Sequence, residues 1–91
     1  MELLKGRFVR SLSGRDKEGI FVVVGVTDEG YLLLADGKTR KLETPKRKKR
    51  KHAELLPEEQ FGRVGPEGML TNRLLKKATT QARALFDVRK E

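Results

Sequence analysis

The sequence predicts a mainly β fold, a small barrel of short strands completed by a C-terminal amphipathic α-helix. Short β-branched and aromatic runs alternate with Gly- and Asp-containing turns over the first 42 positions, the pattern of strands joined by tight connections. The run Tyr31-Leu32-Leu33-Leu34-Ala35 puts leucines on both faces of a strand. A sheet with one wet side does not suit it, so each face needs cover. An apolar stripe at helical spacing near the C-terminus supplies that cover for one of them.

Arg7-Phe8-Val9-Arg10 is the first predicted strand, ended by the polar loop Ser13-Gly14-Arg15-Asp16-Lys17-Glu18-Gly19. Ile20 to Val24 is the strongest strand because it is β-branched and aromatic throughout, with Gly25 interrupting before Val26. Thr27-Asp28-Glu29-Gly30 is a turn. Tyr31 to Ala35 leads into Asp36-Gly37, a dipeptide suited to a two-residue hairpin because both central positions take positive φ. Lys38-Thr39-Arg40-Lys41-Leu42 is the expected return strand, ended by Pro45, which removes a ladder donor.

The barrel, with its basic segment 38–52, is expected over residues 1–56, and residues 57–70 read as a linker punctuated by Gly62, Gly65, Pro66 and Gly68. The span 71–88 is the helix, its regular part running from about Asn72 to Phe86. Thr71 suits the N-cap, and Leu70 and Leu75 stand at the spacing of a hydrophobic staple. At about 100° per residue, Leu74, Leu75, Ala78, Ala82, Leu85 and Phe86 form one stripe that docks on the barrel, opposite Arg73, Lys76, Lys77 and Arg83. Each leucine or phenylalanine so buried contributes roughly 1.5–3 kcal/mol before entropy is deducted.

The excess charge is local. Residues 1–37 carry a net −1 and residues 53–91 a net +1, whereas residues 38–52 carry +8. At the centre stands Lys46-Arg47-Lys48-Lys49-Arg50-Lys51, followed by the only histidine, His52. Adjacent cations repel, so the fold gains nothing from them, and a localised positive field implies a polyanionic partner. A solvated loop and a nuclear-localisation signal are the plainer readings of such a run. The absence of cysteine excludes disulfides, Cys-type zinc sites and thiol catalysis. One histidine builds no His-rich metal site, and no cofactor is expected. The longest aliphatic run falls far short of a membrane helix, and the N-terminus lacks the form of a signal peptide, so a cytoplasmic location is expected. No phosphate loop, paired helical histidines or nucleophile elbow is present; the expectation is a protein that is not an enzyme and takes no small-molecule substrate.

Residues 6 to 24, Gly-Arg-Phe-Val-Arg-Ser-Leu-Ser-Gly-Arg-Asp-Lys-Glu-Gly-Ile-Phe-Val-Val-Val, resemble the KOW motif of ribosomal proteins and NusG-type transcription factors. The matching positions are Val9, Arg10, Gly14, Asp16 and Lys17, followed by the aliphatic strand. The continuation through Ala-Asp-Gly-Lys to a Lys/Arg run and a histidine is similar to small KOW proteins related to large-subunit ribosomal protein fourteen of archaea and eukaryotes. The resemblance covers roughly residues 1–56. It implies an SH3-like (KOW) barrel in which the motif supplies two strands and a loop that commonly meets RNA or a protein. Many ribosomal KOW loops have glycine directly after the Asp-Lys pair, where this chain has Glu18, and often a further glycine where Phe21 stands. Glu18 would repel an approaching phosphate.

The expected function is therefore RNA binding, with ribosomal RNA as the partner the resemblance implies. The contacts expected are Arg10, Arg15 and Lys17 in and beside the KOW loop, Lys38, Arg40 and Lys41 on the return strand, and Lys46, Arg47, Lys48, Lys49, Arg50, Lys51 and His52 beyond it. Asp16 can equally pair with a neighbouring cation to hold the loop, and the basic helix face reads first as an ordinary solvated one. Phosphate contacts give affinity with little sequence discrimination, and the scarcity of aromatics favours structured RNA over stacked single strands. Residues 46–51 are expected to be unordered in the free protein, so that neutralising all six cations removes binding at little cost in thermal stability. The alternative is a KOW module docking on proteins of the transcription or translation machinery.

Overall fold

The computed structural model describes residues 4–65 and 70–89. Five strands, β1 (Phe8–Ser11), β2 (Ile20–Val26), β3 (Leu32–Ala35), β4 (Lys46–Lys48) and β5 (Ala53–Leu55), form one antiparallel sheet in the order β4-β3-β2-β1-β5. A short helix α1 (Glu58–Phe61) and a long one, α2 (Asn72–Arg89), follow. The domain is thus mainly β with a C-terminal helix.

β4 and β5 are consecutive in sequence yet stand at opposite edges of the sheet. In a flat sheet their axes would lie about 19 Å apart, four spacings of about 4.8 Å. The chain between them is only Lys49 and a 3₁₀ turn, Arg50–His52, whose rise is about 2 Å per residue. The sheet must therefore curl until its edges approach. The curl is visible in Lys48 of β4 reaching Ser11 of β1. β4 and β5 share no hydrogen-bond ladder, so the sheet stays open.

Both faces of the sheet are covered, as the leucines of β3 require. On one face Val9, Phe21, Val23, Leu32, Leu34 and Ala53 pack inside the curl. On the other, Phe8, Ile20, Val22 and Ala35 meet Leu56, Val64 and the Leu75–Ala82 side of α2. The register of β2 against β3 shifts between Val23 and Gly25, a bulge at the glycine that interrupts the strand pattern. Thr71 caps α2, its hydroxyl accepting the Leu74 N–H at 3.0 Å. Thr79 lies in the buried strip of the helix beside Leu75 and Ala82, because its hydroxyl donates back to the Leu75 carbonyl at 2.9 Å and so needs no water.

The expected hairpin at Asp36-Gly37 is corrected. Residues 37–40 form a loop, and the strand that pairs with β3 is β4, eight positions later than Lys38–Leu42 would place it. The Asp36 carboxylate explains why. It accepts the backbone N–H groups of Lys38 and Arg40 at 3.0 and 2.8 Å and the Thr39 hydroxyl at 2.7 Å, occupying amides that a ladder would have used. Burial alone would push this carboxyl up, but those hydrogen bonds outweigh it and hold the group below its usual range. Gly37, at φ +82°, sits flush against α2, and a β-carbon there would run into the Asn72 carbonyl oxygen and lie 2.7 Å from the Lys76 nitrogen. The helix also grips the far side of the loop, where the Asn72 side chain accepts the Leu42 N–H at 2.8 Å.

β5 and α1 have no counterpart in the sequence reading. In the described part of 57–70, besides α1, Arg7 bridges to Arg63 and Val64 is buried in the helix-side core. Pro66 and Gly68 lie outside the described residues. Among the described residues no helix is long and apolar enough to cross a membrane.

Candidate nucleic-acid interface

The expectation that residues 46–51 are unordered is corrected: they fold, with His52, as β4 and the 3₁₀ turn. This sorts the cations. Successive side chains of a strand point to opposite faces, and Lys46 and Lys48 pair with Leu34 and Leu32, which are buried inside the curl. Arg47 points the other way, with its guanidinium 5.0 Å from the centre of the Tyr31 ring.

Lys48 is 7 % exposed. Its ammonium donates to the Ser11 hydroxyl at 2.7 Å, the Ser13 carbonyl at 2.8 Å and the Asp16 carboxylate at 2.8 Å, which uses all three donors. The expectation that Lys48 contacts RNA is corrected: it is the internal tie between β4 and the β1–β2 loop. Asp16 plays the loop-holding part, taking the Ser11 hydroxyl at 2.9 Å as well, with Lys46 3.6 Å from its other oxygen. Burial works to raise the Asp16 carboxyl, but the Lys48 and Ser11 hydrogen bonds and the charges of Lys48 and Lys46 outweigh it and keep it below the usual range. Although Ser11 and Lys48 lie at the separation of a nucleophile and its base, Ser11 is 0 % exposed, beyond the reach of any substrate in this conformation.

Arg10 is also corrected. Its guanidinium donates to Glu54 at 2.8 Å and to both Glu18 oxygens at 2.9 Å and lies 5.5 Å from the centre of the Phe86 ring. Two carboxylates neutralise it, which removes it from the phosphate-binding set. The same pairing answers the departure at Glu18. That residue stands at φ +74°, a conformation that favours glycine, where many KOW loops have glycine. Its charge is directed onto Arg10 and away from the loop tip. Arg83 of α2 donates to the Glu18 carbonyl, so the helix steadies the loop from outside.

The remaining expected residues fall into two groups. Arg15, Lys17, Arg40 and Lys46 line a hollow of about 450 Å³ between the β1–β2 loop and the loop built on Asp36. A second hollow, of about 310 Å³, continues from it past Gly19, Ile20 and Asp36 to Lys38 and the Thr79–Arg83 stretch of α2. Lys41 is exposed on the same loop as Lys38 and Arg40. The second group is the outward side of β4 and the 3₁₀ turn, where Arg47, Lys49, Arg50 and Lys51 are exposed and His52 is half-buried. The His52 backbone carbonyl accepts the Leu12 N–H at 2.9 Å, which pins the turn to the start of the KOW-like loop.

Among the described residues, Arg15, Lys17, Lys38, Arg40, Lys41, Arg47, Lys49, Arg50 and Lys51 enter no ion pair, whereas Arg7, Arg10, Lys46, Lys48, Arg63 and Arg83 each do. No group of three or more metal-ligating side chains is present among them. The sequence run marked the stretch of chain that carries many of the exposed cations, but it held no sign that Lys48 turns inward, since that depends on the pleat and on where Asp16 falls. The sequence also gave no sign that the Lys38–Lys41 loop and the KOW-like loop share a hollow. No protein-family model matches this chain, and no curated protein matches it.

Proposed function

We propose that this protein binds structured RNA through its phosphate backbone, with ribosomal RNA the partner to which the KOW resemblance points. The reading takes the curled sheet as an SH3-like (KOW) barrel. It is supported by β1 and β2 pairing around the loop 12–19, as that motif does, and by the single 3₁₀ turn that joins the two sheet edges. The observation that carries the function is the division of the cations. Those holding the fold together are paired, while Arg15, Lys17 and Arg40 on the hollow and Arg47, Lys49, Arg50 and Lys51 on the outward side of β4 and the 3₁₀ turn are exposed and enter no ion pair among the described residues. Solvated, unpaired cations cost no desolvation of an internal partner when they meet phosphate, and releasing the phosphate counterions drives the association. Arg47, stacked on Tyr31, keeps the edges of its guanidinium for a bidentate phosphate contact.

The test is filter binding of a ribosomal RNA fragment between 50 and 200 mM salt. If about 6–10 phosphates are engaged, affinity falls roughly 10³–10⁵-fold over that range. The variant R47Q/K49Q/R50Q/K51Q is expected to stay folded and to lose about one unit of salt slope per contact removed. Unchanged affinity and slope in that folded variant would remove β4 and the 3₁₀ turn from the interface. A fragment that does not bind the wild type at 50 mM salt would overturn the RNA reading altogether.

A further inference from the structure

The exposed face of α2 is unusual in its charge pattern. From Leu70 to Phe86 the chain holds four cations, Arg73, Lys76, Lys77 and Arg83, and no acidic residue; the first carboxylate is Asp87. Arg83 is occupied by Asp87 and the Glu18 carbonyl. Arg73, Lys76 and Lys77 are exposed and enter no ion pair among the described residues. Arg73 stands three and four positions before Lys76 and Lys77, the spacings at which like charges on a helix repel. Arg73 lies in the first turn of the helix, where the macrodipole disfavours a cation, and no acidic residue occupies that turn. A helix face kept merely for solubility intersperses both signs. This one lowers the stability of the element that carries it.

Tertiary structure adds more charge of the same sign. Because Gly37 lies flush on Asn72 and Lys76, the loop bearing Lys38, Arg40 and Lys41 is set directly beside this face. The hollow at Lys38 reaches Thr80, and Thr80 in turn borders the depression formed by Arg73, Lys76, Lys77 and Gln81. The three hollows therefore adjoin, with Arg15, Lys17 and Arg40 on the first, Lys38 on the second and the helix cations on the third. Two carboxylates lie nearby: Asp36 is buried under its own loop amides, and the exposed Glu43, which accepts the Asn72 side-chain amide and attracts Lys41, is outnumbered by the cations around it.

We propose that Arg73, Lys76 and Lys77 of α2, together with Lys38 and Lys41, form a second phosphate-binding surface. It engages the backbone of the same RNA beyond the reach of the KOW-like loop and β4. This rests on the RNA-binding reading above. The sequence alone favours an ordinary solvated face here. What favours contact is the juxtaposition of two like-charged elements whose cations outnumber the one exposed acid beside them, Glu43.

The experiment compares the full chain with R73Q/K76Q/K77Q in filter binding to the same ribosomal RNA fragment, alongside R47Q/K49Q/R50Q/K51Q. All three helix positions are exposed, and removing repulsion there is expected to leave the melting temperature unchanged or raised. Three contacts at a slope of roughly 0.9 each correspond to about a 40-fold smaller fall in affinity between 50 and 200 mM salt. That loss of slope, with weaker binding at 150 mM and a melting temperature no lower than wild type, supports the proposal. If the helix variant matches wild type while the β4 variant is weakened, RNA binding stands and the helix surface is overturned. If the wild type binds no RNA at 50 mM salt, both readings fall together.

Discussion

Lys48 sits within a run of six cations and is expected to behave unlike the exposed ones. Replacing it with methionine keeps much of the aliphatic stem but removes three hydrogen bonds, to Ser11, Ser13 and Asp16. It also leaves the Asp16 carboxylate without its closest counter-charge. Breaking a buried ion pair by removing one partner costs about 3–5 kcal/mol. Two features reduce that here: the Asp16 side chain is 17 % exposed, and the Lys46 ammonium, 3.6 Å away, can move closer. We therefore expect a loss of about 2–4 kcal/mol, at the upper end if Lys46 stays where it is. For a domain of this size each kcal/mol shifts the melting temperature by about 4–8 °C, so K48M should melt roughly 10–30 °C lower. The assay is urea and thermal denaturation of K48M, D16N, the double variant and R47Q/K49Q/R50Q/K51Q. The double variant should lose much less than the sum of the two singles, because the pair acts as a unit. The exposed-residue variant should stay within about 0.5 kcal/mol of wild type. If K48M melts with wild type, or the pair is additive, Lys48 is not the internal tie described above. It also follows that neutralising residues 46–51 together is expected to destabilise the domain, so loss of binding in that sextuple variant would not separate contact from folding.

Two further outcomes follow from the same geometry. Gly37→Ala forces a positive-φ backbone onto alanine and drives its β-carbon into the Asn72 carbonyl. It should cost more than about 2 kcal/mol, read as a lower urea midpoint, whereas Gly30→Ala, with φ +92° but open space around it, should cost less. The carboxyls of Asp16 and Asp36 are both held below their usual range in the fold. Their contribution is complete above the unfolded carboxyl value of about 3.9 and is lost as pH falls from there through the folded values. Stability should therefore decline on acidification below about pH 4, and D36N should flatten that acid limb; an unchanged limb in D36N would contradict the assignment of Asp36 as the charged centre of its loop.

Much of the architecture could be read from local pattern. Ile20–Val26 declared itself by β-branched density, α2 by a stripe of period 3.6 and by Thr71 at its cap, and the need to cover both sheet faces by the leucines of β3. The Asp36-Gly37 dipeptide misled for a specific reason. Its hairpin geometry is a local preference, and it lost to a carboxylate that captured the loop's amides and to a helix, 35 residues further on, that needed a glycine to pack against. β5 is three residues long and follows a run of charge, so it left no periodic signal.

For the candidate interface, the order of residues by itself determined that the positive charge is concentrated over residues 38–52, because counting charges along a chain requires no fold. Tertiary structure alone decided which of those charges face outward. The pleat of β4 alternates its side chains, the curl of the sheet brings Lys48 to Asp16, and the seating of Gly37 on α2 sets Lys38 beside Lys76. The last two depend on contacts between residues more than 30 positions apart, and the first on which strand β4 pairs with; no local pattern of sequence contains such contacts.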